Sequence, residues 1–118
     1  MEVWSPLPLP GQSGGYRIHH GAGYTRYAHD SHQLEQETTL FVPPDDTVKI
    51  IRLRLKNRTA HHRRITATYY AEWVLGSRPS QTQPHVVTEY DPRLQAILAS
   101  CSWNPDFGPS VAFLASSH

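Results

Sequence analysis

The sequence predicts an all-β fold, an antiparallel β-sandwich, and three observations carry that prediction. Two neighbouring runs alternate apolar and polar residues with a period of two, Ile50-Ile51-Arg52-Leu53-Arg54-Leu55-Lys56 and Arg64-Ile65-Thr66-Ala67-Thr68-Tyr69-Tyr70-Ala71-Glu72-Trp73. That period sends one set of side chains to a core and the other to water. β-branched and aromatic residues are enriched in both runs, which suits a pleated surface. Further short runs of the same kind follow one another along the chain, punctuated by seven glycines and ten prolines, as in a sandwich of many strands.

The two runs anchor the rest. Ile51, Leu53 and Leu55 share one face of the first; Ile65, Ala67, Tyr69, Ala71 and Trp73 share one face of the second. The polar stretch Asn57-Arg58-Thr59-Ala60-His61-His62-Arg63 joins them. Together, residues 48–73 read as an antiparallel hairpin.

Other elements take their places around it. Trp4-Ser5-Pro6-Leu7-Pro8-Leu9-Pro10 has proline at alternate positions, so it is extended and excluded from a central strand. It reads as a surface arm, residues 1–15 with the flexible Gly11-Gln12-Ser13-Gly14-Gly15; a ligand for a proline-recognition domain is the alternative. Residues 16–19 form a short strand, His20-Gly21-Ala22-Gly23 breaks it, and residues 24–29 resume. Residues 34–42 make another strand, which Pro43-Pro44 ends. Residues 76–84 are a polar loop. Residues 85–90 are a strand closed by Asp91-Pro92. Residues 93–102 fit a strand or one helical turn, with strand preferred for 96–102. Residues 103–109 are loop, and 111–114 are a last strand.

Composition bounds what the chain does. Its 118 residues suffice for one domain with a modest core. Hydrophobic content is 38%, under the ~45–50% usual for globular domains, so the core is thin. A formal charge of +1 gives no basic field for nucleic acid. Cys101 stands alone, which excludes an intrachain disulfide and a cysteine zinc site. No apolar run is long enough to span a bilayer, and the first residues lack the regions of a signal peptide. A cytoplasmic location is expected.

The ordered series Trp4-Ser5-Pro6, His20-Gly21-Ala22-Gly23-Tyr24-Thr25-Arg26, Phe41-Val42-Pro43-Pro44-Asp45-Asp46, Leu53-Arg54-Leu55-Lys56-Asn57-Arg58-Thr59, Glu72-Trp73-Val74-Leu75-Gly76, His85-Val86-Val87-Thr88-Glu89 and Trp103-Asn104-Pro105 resembles the β-sandwich region of glycoside hydrolase family 94, formerly glycosyltransferase family 36. The match is nearest to the phosphorylase-like C-terminal part of cyclic β-1,2-glucan synthases and covers essentially the whole chain. The resemblance implies a segment of a galactose-mutarotase-like supersandwich. It also implies that catalytic acid and phosphate site lie in a separate helical toroid, so that residues 1–118 are one domain or part of one. One departure concerns a turn: the family has glycine after the histidine matching His32, and here Gln33 stands there.

The chemistry is weighed on that background. His19, His20, His29 and His32 lie in one stretch near Glu35 and Glu37, but on strands they do not converge on one ion, so no metal or other cofactor is expected. Asp45-Asp46 are adjacent on a loop and lack the separation of a glycosidase pair, ~5–10 Å across a sugar; a turn role is preferred. No Gly-x-Ser-x-Gly elbow or phosphate loop occurs. The chain by itself is expected to be no enzyme. Sugar contact remains: rings stack on aromatic faces, and hydroxyls bond to Arg and His. His20, Tyr24, Arg26, Tyr27 and Trp103 are the candidate carbohydrate-binding residues, and the resemblance points to the 20–26 loop as the part facing sugar or a catalytic domain. Trp73 falls on an apolar face and reads as core. The expected partners are a β-glucan or oligosaccharide and a second copy of the chain, because unpaired sheet edges and an uncovered apolar row invite self-association. The competing reading is a free-standing structural or oligomerising module with no sugar role.

Overall fold

Alternation along the chain becomes register in the computed structural model, which describes residues 2–9, 14–103, 105–106 and 108–117. The chain divides into two compact units, Met1–Thr66 and Ala67–His118.

The first unit is a four-stranded antiparallel meander, β1 (Arg17–Gly21), β2 (Tyr24–Ser31), β3 (Leu34–Phe41) and β4 (Ile50–Asn57), paired in that order. The turn between β1 and β2 is the Ala22-Gly23 pair, with Gly23 at φ +79, a conformation that costs glycine nothing. The register sorts the side chains into two faces. Ile18 pairs with Tyr27, Tyr27 with Thr38, and Thr38 with Leu53; this face also holds Leu34, Gln36 and Leu55. On β3, Leu34, Gln36 and Thr38 are buried and the residues between them are half-buried. The opposite face is charged, with Arg17 near Asp30, Arg26 near Glu37, and Lys56 and Arg58 near Glu35. Two of the three buried side chains on β3 are polar; Gln36 is hydrogen-bonded on both ends of its amide, whereas the Thr38 hydroxyl has no partner.

The second unit is a three-stranded antiparallel sheet, β5 (Val87–Asp91), β6 (Ala96–Ser100) and β7 (Val111–Ala115), with β6 in the middle. Asp91 Oδ1 accepts from the backbone N–H groups of Arg93 and Leu94 and folds the β5–β6 turn. The strand reading of residues 96–102 holds over Ala96–Ser100. Ahead of β5, the expected polar loop contains a one-turn helix, α1 (Pro79–Thr82), and a 3-10 turn, Gln83–His85. Proline at the first helical position starts it without losing a needed donor, and buried Thr82 bonds back to the Arg78 carbonyl. Buried apolar side chains among the described residues are Leu34, Ala96, Ala99 and Cys101; Cys101 is a buried free thiol, as a small hydrophobe in a thin core.

The all-β class stands, with two antiparallel sheets. The expected hairpin of residues 48–73 does not: its first arm is β4, and its second arm forms no ladder. The cause lies in residues 57–63. Asn57 Nδ2 donates to the His61 carbonyl, Thr59 donates to Asn57 Oδ1, and the Arg58 N–H donates to the Gln33 carbonyl. The two side-chain bonds hold residues 57–61 in a local turn, and the Arg58 bond continues the β3–β4 pairing and keeps the chain beside the β2–β3 turn. Residues 62–75 then run on with neither turn nor bend. The proline arm lies outside the strands as expected; residues 10–13, including most of the expected glycine turn, fall outside the described residues, as do Asn104 and Phe107 of the expected 103–109 loop. Among the described residues no helix is long and apolar enough to cross a membrane.

Candidate functional site

Two places on the first sheet gather polar and aromatic side chains, one at each end of β2. The first is the β1–β2 end. Gly21 pairs with Tyr24, and a Cβ at Gly21 would collide with the Tyr24 ring, so the missing side chain lets that ring lie down. The Arg26 guanidinium carbon sits 5.8 Å from the Tyr24 ring centre, and the His19 ring is tilted against the same ring with centres 5.8 Å apart. Arg26 also approaches Glu37 at 3.8 Å. Tyr24 and Arg26 thus share the charged face. His20 and Tyr27 lie on the opposite face, where His20 Nδ1 meets Thr25 Oγ1 at 3.0 Å. Trp103 belongs to the second unit, half-exposed and stacked on His85 with ring centres 5.0 Å apart. The five candidate residues therefore separate into a Tyr24–Arg26 pair, a His20–Tyr27 pair and a lone Trp103.

At the β2–β3 end lies an arrangement that sequence reasoning passed over. His32 and Gln33 form the turn with φ 54 and 58, the left-handed region at two residues that carry a Cβ, which costs ~1–2 kcal/mol each. A glycine at position 33 would remove half of that strain. Here the surroundings impose it. Trp4 Nε1 donates to Gln36 Oε1 at 2.9 Å, and Gln36 Nε2 donates to Ser31 Oγ at 2.7 Å. That leaves the serine proton for His32 Nδ1 at 2.8 Å. His32 Nε2 faces Glu2 at 3.2 Å, and the Trp4 ring stacks on His32 with centres 4.5 Å apart. Tyr16 stacks on His29 and donates to the carbonyls of Ser5 and Leu7, which fastens the arm along the sheet. Trp4 and His32 were each visible in the sequence; the 32-residue separation of Trp4 from Gln36 is what hid their partnership.

Two open hollows flank this turn. One, about 380 Å3, is lined by Asp30, Ser31, Gln33, Leu34 and Arg58. The other, about 370 Å3, is lined by Glu2, His32, Gln33, Thr59, His61 and Arg63. Their charged groups are already committed: Arg58 to Glu35 at 2.6 Å, Arg63 to the His32 carbonyl at 2.6 Å, and Asp30 to Arg17 at 3.8 Å. Asp46 Oδ1 accepts from the Thr47 N–H, a turn role. No group of three or more His, Cys, Asp or Glu among the described residues converges as metal ligands would.

Comparison with known proteins gives this architecture a family. The model of the glycosyl hydrolase 94 supersandwich domain matches residues 1–118. A curated protein, "Cyclic beta-(1,2)-glucan synthase NdvB" from Rhizobium meliloti (strain 1021), is 33% identical over 105 residues, which is 89% of this chain and 4% of that protein. No solved structure matches the chain. The end-to-end match and the two antiparallel sheets agree, and the chain belongs to the glycosyl hydrolase 94 supersandwich domain family.

Proposed function

We propose that the chain is the non-catalytic β-sandwich segment of a glucan-processing enzyme of the cyclic β-1,2-glucan synthase kind, acting in the cytoplasm to position carbohydrate or to pack against a catalytic domain. The observation that carries the reading is the family match along the whole chain. Side-chain pairing supports the non-catalytic part. The strand carboxylates Asp30, Glu35 and Glu37 each face a cation on the open sheet, whereas a general acid needs a protected site that holds its proton.

Carbohydrate contact falls to Tyr24 and Arg26. They share a face, the ring lies beside Gly21, and the guanidinium stands over the ring, 5.8 Å from its centre. A half-buried ring with one charged donor supports millimolar binding, about −4 kcal/mol. Titrating 15N-labelled chain with β-1,2-glucan tests this. Shifts confined to residues 19–27 are expected. Shifts mapping to the His32 turn or to Trp103 contradict the assignment of the surface, and no shifts at all favour the second reading, a structural module. That second reading draws on one observation: Val87, Val111 and Phe113 share one face of the second sheet and are each more than half exposed, an apolar surface that suits a protein partner.

A further inference from the structure

Residues 64–74 make no backbone hydrogen bond to any described residue, although they alternate in the manner of a strand and are rich in β-branched and aromatic residues. Tyr69 is 50% exposed and Tyr70 78%. An extended strand with free backbone groups is well shaped to recruit a cover.

We propose that residues 64–74 are a dimerisation strand, pairing antiparallel with the same strand of a second copy about a two-fold axis at Thr68. The segment is self-complementary in that register and not in its neighbours. With Thr68 opposite Thr68, Arg64 of each copy stands opposite Glu72 of the other, and Thr66 stands opposite Tyr70. On the other face Ile65 meets Ala71 and Ala67 meets Tyr69, so large residues face small ones. Centring on Tyr69 instead sets the two bulky rings against each other and puts Arg64 opposite Val74. Opposite charges and size-matched neighbours are the pairs that stabilise antiparallel ladders, and two-fold symmetry uses each pair twice. The groups are available. Arg64 has no partner among the described residues, and Glu72 uses Oε1 for the Tyr70 hydroxyl at 3.0 Å, which leaves Oε2 for an arginine. This interface does not depend on whether the chain binds sugar.

Sedimentation of the full 118-residue chain over a wide concentration range tests the proposal. A monomer–dimer equilibrium is expected. Arg64→Glu and Glu72→Arg, each placing like charges opposite one another at two symmetric positions, are expected to weaken the dimer by about tenfold. The double variant R64E/E72R restores the opposite pairing and is expected to return near wild-type affinity. Both positions are exposed, so unchanged circular dichroism serves as the folding control. A wild-type chain that stays monomeric throughout, with residues 64–74 unprotected from amide exchange, overturns the proposal and points to a strand from another protein. A dimer whose affinity ignores both single charge reversals overturns it as well.

Discussion

The Arg63 guanidinium donates to the carbonyl oxygen of His32 at 2.6 Å, across 31 positions of chain. That bond and the Arg58 N–H bond to the Gln33 carbonyl hold the β2–β3 turn from outside the sheet. The turn bends through two left-handed residues that carry side chains, so it persists only because its neighbours over-determine it.

Replacing Gln33 with glycine is expected to stabilise the chain. Relief of the φ 58 backbone returns ~1–2 kcal/mol, and the greater freedom of glycine in the unfolded chain takes back ~0.4–1 kcal/mol. Urea unfolding read by tryptophan fluorescence is expected to show a net gain of about 0.5–1 kcal/mol. A net loss means that the Gln33 side chain supports the turn more than its backbone strains it.

Trp4→Phe keeps a ring to stack on His32 and removes only the indole N–H. Gln36 is 1% exposed, and its Oε1 then has no donor in the place Trp4 Nε1 filled. Stranding a buried acceptor costs ~1–3 kcal/mol. The same unfolding assay, read by circular dichroism, is expected to show a loss in that range, and a neutral result would mean that water replaces the indole.

Thr38 presents the reverse case. Its side chain is 2% exposed and its hydroxyl has no partner. Thr38→Val keeps the shape and removes the stranded polar group, so a gain of about 1 kcal/mol is expected. A loss of similar size would reveal a bound water.

Tyr70 gives a pH signature. Its hydroxyl donates to Glu72 Oε1, and that bond, followed by the carboxylate's charge and a small desolvation, raises its pKa above the ordinary 10.0. The group is raised on folding, so its contribution is fully present below pH 10.0 and is lost as pH climbs through the folded value. Absorbance titration near 295 nm is expected to show Glu72→Gln lowering the pH at which Tyr70 ionises. Indistinguishable titrations for the two proteins would mean that the bond does not persist in solution.

Much of the fold was legible because alternation is a one-dimensional record of two faces. Leu34, Gln36 and Thr38 alternate into the interior, and β4 lies within the run that suggested it. The second arm of the hairpin was misread because alternation says that a segment is extended and not what it pairs with. The side chains of Asn57 and Thr59 decided that locally. At the candidate surface, Tyr24 and Arg26 sit two apart and so share a face, which spacing alone implies. His20 and Tyr27 separate from them by the same rule applied through the Gly21–Tyr24 pairing, a register that the sequence did not specify. Gln33 puts the turn in doubt by sequence, and the turn forms nonetheless with Gln33 in the left-handed region; the Trp4–Gln36–Ser31–His32 chain of bonds joins residues too far apart for spacing to relate them.

The central proposal, that this chain carries no catalytic group of its own, is tested most directly by incubating the purified chain with inorganic phosphate and β-1,2-glucan and measuring glucose 1-phosphate and reducing ends. The account predicts neither product above the level of a protein-free blank. Turnover that follows the protein through purification and disappears in a Glu35→Gln, Glu37→Gln or Asp30→Asn variant would contradict it.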